Sequence, residues 1–345
     1  MAQKVILIIG GTGAQGIPTI KELLKPAVDG SSPYAIRVLT RDPDNYRAQM
    51  LRDLGCELVQ GSVKDLGSVA VALQGVYGAF VNIDGFTIGE KEEIYAGLRI
   101  YELAKQQGVK HYVWSSLDYF SKKGNFDPKY RCGHYDAKGR IADFLKAQPS
   151  AKSPSDGMVW SVITSGPYTE MLSGALFIPR LQEDGAFLWS HPLGEGAVPL
   201  IALSDFGYFA RWIFDHPEEN SGVDLEVASH MTTWKELVET FERVTGKRGR
   251  YEDVDFDSYF GRMGGGNQPV AKEAPEGLTF RQNFTGAFNG WKDNIATRDM
   301  EKLRKIHPGL RTLEAWMKET QYDGTPTGLL LKGMETQGAH LPRGR

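Results

Sequence analysis

VILIIGGTGAQG, residues 5–16, is the stretch whose reading decides the fold. An apolar run ends in four glycines within seven positions, Gly10, Gly11, Gly13 and Gly16. Val5–Ile9 suits a buried strand. A glycine at position 10 permits a tight turn, Gly13 leaves no Cβ where a pyrophosphate would approach, and Gly16 lets the next helix lie close to the sheet. That helix presents unpaired N–H groups and the positive end of its dipole to phosphates. Thr12, Ala14 and Gln15 complete the loop. The spacing is G-x-x-G-x-x-G rather than the commoner G-x-G-x-x-G, and a glycine triplet alone can be a structural turn. The strand, turn and helix around this one make it a dinucleotide site.

Outward from this point, short apolar runs alternate with amphipathic ones. Strands are expected at Val5–Ile9, Ile36–Thr40, Glu57–Gln60, Gly78–Asn82, Val109–Ser115 and Trp160–Thr164. Helices are expected at Ile17–Leu24, Tyr46–Leu54, Ser68–Gln74, Glu92–Gln106 and Gly139–Lys146, with a loop over Pro26–Pro33. Continuously apolar strands joined by helical crossovers belong in a parallel sheet covered on both faces. The expected fold is α/β: a Rossmann-type doubly wound sheet over residues 1–165, then a smaller α/β domain over 166–325. Strands and helices could be exchanged across that boundary.

The second strand ends in IRVLTRD, residues 36–42. An NAD site places a carboxylate near this end to accept from the ribose 2′-hydroxyl. Arg41 stands there instead, and a guanidinium matches a 2′-phosphate, so the expected cofactor is NADP(H). The alternative is a surface arginine followed by Asp42. Thr40 either assists or simply ends the strand. Asp65 either caps the next helix or accepts from the adenine amine. Asn82, leaving the fourth strand, should border the middle of the cofactor.

Ser115 and Ser116 end the fifth strand and are either substrate contacts or strand-end caps. In RCGHYDAKGR, residues 131–140, His134 and Lys138 are four apart and share a helical face. Lys138 could hold a nicotinamide ribose, and its charge would lower the pKa of His134, a candidate proton donor. The bland reading is a helix-start histidine over a solvated lysine. Pro167 and Tyr168 would border the ring end, although loop rigidity also explains the proline.

Lysine plus arginine total 40 against 43 acidic residues, a balance without a nucleic-acid footprint. There is no 18-residue apolar run and no secretion signal, so a cytosolic or nuclear protein is expected. Cys56 and Cys132 are read as two free thiols, and no metal site is expected. Beyond residue 165 a strand and a helix capped near Asp205 are expected, then a strand at 224–229. Residues 232–246 form an amphipathic helix ending at glycine, 258–268 a loop, and 295–320 a last amphipathic stretch. Trp189, Phe206 and Trp212 read as core, and 326–345 as a flexible tail.

The segments IGGTGAQG (9–16), LTRD (39–42), GSVKD (61–65), HYDAKG (134–139) and GPYTE (166–170) together resemble the NmrA-like atypical short-chain dehydrogenases, over roughly residues 3–320. The resemblance implies that the glycine loop binds pyrophosphate, Arg41 faces the 2′-phosphate and Lys138 contacts the nicotinamide ribose. Most catalytic short-chain dehydrogenases would carry tyrosine where His134 stands. Tyr135 is adjacent, but the residue four beyond it is Gly139. The group includes NADP(H)-responsive regulators of a protein partner such as a transcription factor, among them a fungal nitrogen-metabolite repressor and a human redox sensor. It also includes reductases of quinones, phenolics or other small unsaturated substrates. The missing tyrosine favours the regulator, with NADPH-dependent reduction as the alternative.

Overall fold

The computed structural model describes residues 3–27, 30–174, 176–262 and 266–327. Six strands open the chain: β1 (Lys4–Ile9), β2 (Tyr34–Thr40), β3 (Glu57–Gln60), β4 (Gly78–Val81), β5 (His111–Leu117) and β6 (Val159–Ser165). Between them run α1 (Gly16–Leu24), α2 (Tyr46–Asp53), α3 (Leu66–Leu73), α4 (Gly85–Ile88), α5 (Glu90–Gln106), α6 (Phe120–Lys123) and α7 (Gly133–Lys146). β1 shows why the strands read as unbroken apolar runs. Ile6 and Ile8 enter one core with Ile20, Phe206 and Phe209, while Leu7 and Ile9 enter another with Val69, Ile100 and Trp114. Both faces are covered, so alternation disappears.

The second half contributes α8 (Met171–Gly174), β7 (Arg180–Leu181), β8 (Phe187–His191), β9 (Val198–Leu200), α9 (Leu203–Asp215), β10 (Asp224–Glu226) and β11 (His230–Thr232). It continues with α10 (Trp234–Thr245), β12 (Gly249–Asp253), α11 (Phe256–Gly261), α12 (Phe280–Lys292), α13 (Met300–Ile306) and α14 (Leu313–Glu319). Two of these elements return to the first sheet, whose order is β10-β6-β5-β4-β1-β2-β3, every pairing parallel. β10 pairs with β6, and α9 packs on α1. A Cβ on Gly207 would sit 2.7 Å from the Pro18 carbonyl oxygen, so glycine is what lets these two helices meet. The strand order reverses at β1 and β4, which creates the crevice where α/β sheets bind ligands. The smaller sheets, β12-β8-β7 and β11-β9, enclose an aromatic core of Phe177, Trp189, Trp234, Phe241, Phe288 and Trp291. Arg298, fully buried, ties the halves together through Asp118 Oδ2 at 2.8 Å.

The structure corrects several expectations. α7 begins at Gly133, six residues before the predicted start, because Asp136 accepts from the Cys132 and Ser121 backbone N–H groups. Asp205 caps nothing. Ala202 is the N-cap of α9, and Asp205 is buried one turn in, bonded to Ser229 Oγ at 2.6 Å and paired with Arg311. α12 went unread because Gly286 and Gly290 lower helix propensity. They are there for close approach: a Cβ on Gly286 would collide with the Arg131 carbonyl oxygen. The predicted loop over 258–268 includes the end of α11, with residues 263–265 outside the described part. The last stretch is two helices, α13 and α14, broken at Pro308-Gly309. α10 is as expected, with a Thr233–Glu236 capping box and Gly246 left-handed at φ 70°. Trp189 and Phe206 are core, whereas Trp212 is half-buried and stacks on His216. The tail lies outside the described residues from 328 onward. Among the described residues no helix is long and apolar enough to cross a membrane, and both cysteines are free and buried.

Candidate functional site

The glycine loop joins β1 to α1 at the reversal of the sheet. Gly10 adopts φ +83°, and a Cβ there would lie 2.5 Å from the Asn82 carbonyl oxygen. A Cβ on Gly16 would collide with the Gly10 carbonyl oxygen and lie 2.5 Å from Gly11 Cα. Both glycines are therefore demanded by the protein's own backbone. Gly13 is different: a Cβ there would meet only Gly10 O, at 3.2 Å, so its bareness leaves room for whatever approaches from outside. α1 has no side-chain cap and no acidic residue in its first turn. An uncapped helix start behind a glycine cradle suits a pyrophosphate. Thr12 is nearly buried, and its carbonyl accepts from Arg47 Nη1 at 3.1 Å. Ala14 is partly exposed on the loop.

On the β2–β3 side, Arg41 is exposed at the end of β2, while Thr40 is buried with its hydroxyl donating to the Asp42 carbonyl. Arg47, reaching the loop from α2, is a second guanidinium that sequence reading passed over as an ordinary helix residue. Asp65 caps α3 through the Gly67 N–H at 3.0 Å. Beyond it, Lys64 Nζ pairs with Glu273 Oε2 at 3.0 Å. The Glu273 carboxylate is held below its usual range first by the Lys64 hydrogen bond, and the charge of Arg41 also contributes. Glu273 arrives on a segment bonded to α4, with Lys272 N donating to Phe86 O and Glu273 N to Thr87 O, both at 2.9 Å. Nothing local in the sequence signals that a residue more than 200 positions away reaches this corner.

On the β4–β5 side, Gln15 turns inward. Its Nε2 donates to Ser165 Oγ at 3.2 Å, and its Oε1 accepts from Ser115 Oγ at 2.7 Å. Ser116 faces the opposite side of the sheet, where its hydroxyl donates to the Lys138 carbonyl at 3.2 Å. The two serines are therefore separated by the pleat, and Ser116 ties down α7 instead of lining the crevice. Pro167 is buried in the turn after β6, its carbonyl accepting from Ile201 N. Tyr168 is partly buried, and burial raises its phenol pKa. Lys138 Nζ donates to Asn82 Oδ1 at 2.9 Å and to the Ile83 carbonyl at 2.8 Å. It also lies 2.9 Å from Oε1 of Glu93, a fully buried carboxylate on α5 that sequence reading left inside an amphipathic helix.

His134 sits one turn before Lys138. Its Nδ1 accepts from Asn283 Nδ2 at 2.8 Å, while Asn283 Oδ1 faces the His134 backbone N–H at 3.4 Å and the Cys132 thiol at 3.8 Å. Two donors on Oδ1 orient the amide, and the amide places the ring proton on Nε2. The ring lies 4.6 Å from that of Phe86 and 5.5 Å from that of Phe284, between centroids. Desolvation lowers the imidazole pKa to about 4, with the Lys138 charge adding to the effect. His134 is therefore a neutral N–H donor, a weaker proton source than an imidazolium. Tyr135 stacks on Phe120 at 4.4 Å and is buried, and burial drives its phenol pKa well up.

Among curated relatives, the chain is 27% identical over 269 residues to the NmrA-like family domain-containing oxidoreductase malD of Malbranchea aurantiaca, covering 72% of this chain and 75% of that protein. Among solved structures it superposes on NmrA, a negative transcriptional regulator in complex with NADP, at a TM-score of 0.70 and 18% identity, covering 92% and 95% of the two chains. An NADPH-dependent quinone oxidoreductase from Escherichia coli matches at 0.65 and 20%, covering 92% and 99%. The model of the NmrA-like family matches residues 2–317, and the chain belongs to that family.

Proposed function

We propose that the chain binds NADP(H) and that occupancy of the site regulates its association with a protein partner such as a transcription factor, in the cytosol or nucleus. The link to nitrogen metabolism implied by the resemblance belongs to the same reading. The observation that carries it is a dinucleotide cradle without a phenolic acid: Tyr135, beside Lys138's turn, is stacked inside the core on Phe120. The cradle fits the cofactor because Gly13 is bare on its outer side and α1 begins uncapped. The α1 N–H groups would hold the pyrophosphate, Arg41 with Arg47 the phosphorylated ribose, and Lys138 the second ribose. When bound, NADPH supplies a hydride. The structural neighbour described as a negative transcriptional regulator supports this reading.

A second reading, reduction of a quinone, enone, imine or phenolic compound, is favoured by His134. A neutral Nε2–H fixed by Asn283 and flanked by Phe86 and Phe284 can hydrogen-bond a substrate oxygen and draw charge onto it. The relative named an oxidoreductase supports it. Calorimetric titration with NADP⁺ and NADPH tests the shared premise, and no affinity for either sinks both readings. NADPH oxidation across a panel of quinones, enones and imines separates them. Turnover at about 1 s⁻¹ or faster, lost in both His134→Ala and Lys138→Ala, would overturn the purely regulatory role.

A further inference from the structure

Glu93 is 0% exposed, and neither of its carboxylate oxygens has an aligned hydrogen bond. The aligned bonds of the Lys138 ammonium go to Asn82 Oδ1 and the Ile83 carbonyl, at the end of β4. Glu93 Oε1 lies 2.9 Å from Nζ, an ion pair in which the ammonium is oriented chiefly toward its other two acceptors. A carboxylate taken from water with a single ammonium beside it is costly to ionise, and most such groups in folded proteins are more fully satisfied. An exception beside a candidate ligand-binding lysine asks for a purpose.

The surroundings offer Glu93 little other support. Asp84, before α4, and Glu90, on its own helix, are both acidic. Glu90 is already paired with Arg131, which precedes α7, and with Arg140 on it. Asp136 on the same helix is occupied by Ser121, Arg131 and the Cys132 N–H. α3, packed on another side of α5, and α4 carry no charged side chain. His134 is neutral. Burial raises the Glu93 pKa, Lys138 opposes, and Asp84 and Glu90 add to the rise. A charge arriving nearby would therefore move the proton balance of this carboxyl.

We propose that Glu93 discriminates the oxidised from the reduced dinucleotide by its own protonation, favouring NADP⁺ when ionised and losing that preference when protonated. The inference rests on the NADP(H) reading above. Arg41 and the end of β2 lie on one side of the switch point, and Lys138 is fastened to β4 on the other. The ring end of a dinucleotide laid across the crevice therefore comes toward the Lys138–Glu93 pair. The oxidised ring carries a positive charge that the reduced ring lacks. A unit charge about 10 Å away, at an effective dielectric near 20, shifts a carboxyl's proton affinity roughly tenfold. The sign follows: NADP⁺ stabilises the Glu93 anion, so the preference for NADP⁺ over NADPH grows as pH rises. Protonated Glu93 contributes nothing to the choice. Lys138 Nζ, 2.9 Å from Glu93 Oε1, holds the carboxyl in place.

The test is separate calorimetric titration of NADP⁺ and NADPH into the full chain between about pH 5.5 and 9, in two buffers of different ionisation enthalpy. For the native protein the affinity ratio should move roughly tenfold toward NADP⁺ with rising pH, and NADPH should bind with more proton uptake than NADP⁺. Glu93→Gln keeps the shape and removes the titration, so its ratio and its proton difference should be flat. A flat ratio in the native protein overturns the inference, as does an unchanged slope in Glu93→Gln. If that variant fails to fold, the native proton difference between the two ligands decides. Absence of binding by either ligand defeats the NADP(H) reading itself, whereas tight binding with a pH-independent ratio defeats only the role of Glu93.

Discussion

Replacing Lys138 with methionine keeps most of the side-chain stem and removes the cation that, among the described residues, pairs with Glu93. Deleting one partner of a buried ion pair costs about 3–5 kcal/mol. Part of this is independent of pH, because Asn82 Oδ1 and the Ile83 carbonyl each lose a donor worth about 1 kcal/mol. The remainder, roughly 2 kcal/mol, follows the Glu93 charge. Glu93 already titrates above its ordinary range in the native fold, and loss of the opposing cation raises it further. A carboxyl whose folded pKa exceeds its unfolded one contributes stability fully present below the unfolded pKa, near 4.3, and lost as pH rises through the folded pKa. The deficit of Lys138→Met relative to the native protein should therefore widen between pH 5 and pH 8 as Glu93 ionises, from about 2 kcal/mol toward about 4 kcal/mol. Urea unfolding of native protein, Lys138→Met and Lys138→Met/Glu93→Gln at both pH values measures this. The double variant should regain the roughly 2 kcal/mol charge-dependent part at pH 8 and show no trend of its own. A pH-independent deficit, or a double variant no more stable than the single at pH 8, would refute the account of the pair.

Arg41→Asp should reduce the preference for NADPH over NADH at least tenfold, the worth of about 1.4 kcal/mol of charge-assisted bonding; titration with both cofactors checks it, and unchanged selectivity defeats the assignment. Gly16→Ala brings a Cβ to 2.5 Å from Gly11 Cα, where only backbone could yield. It should lose about 1–3 kcal/mol of stability together with dinucleotide affinity, and native affinity would contradict the cradle. His111, held neutral to about 3, and His134, His191 and His230, each to about 4, owe their lowered pKa values chiefly to burial. The unfolded chain binds these protons first, so stability should fall as pH drops below about 6.5; a urea midpoint unchanged between pH 6.5 and 4.5 would contradict their burial.

The first half was legible because its signals are local. Five apolar residues before Gly10 mark β1, and the His134–Lys138 spacing holds on α7 although that helix starts earlier than periodicity suggested. The pleat was legible too, but its consequence for Ser115 and Ser116 was not, since which serine faces the crevice depends on register. Glu93, Arg47, Asn283 and Glu273 escaped notice for one reason. Each looks like an ordinary helix or loop residue until folding brings it against a partner far away in sequence, as Asn283 meets His134 across 149 positions. α12 was hidden by glycines whose purpose is tertiary, making room for Arg131 and Phe120.

The return of α9 and β10 to the first sheet has a consequence for biogenesis. When β6 leaves the ribosome its outer edge is open, and the strand that closes it, β10, begins about 60 residues later. At translation speeds of about 5–20 residues per second the nascent chain carries that unsatisfied border for roughly 3–12 seconds. A bare strand edge recruits other strands. Release of a chain stopped before Asp224 should therefore yield aggregates in place of an independent nucleotide-binding unit, and synthesis through this interval is where a nascent-chain chaperone would matter most.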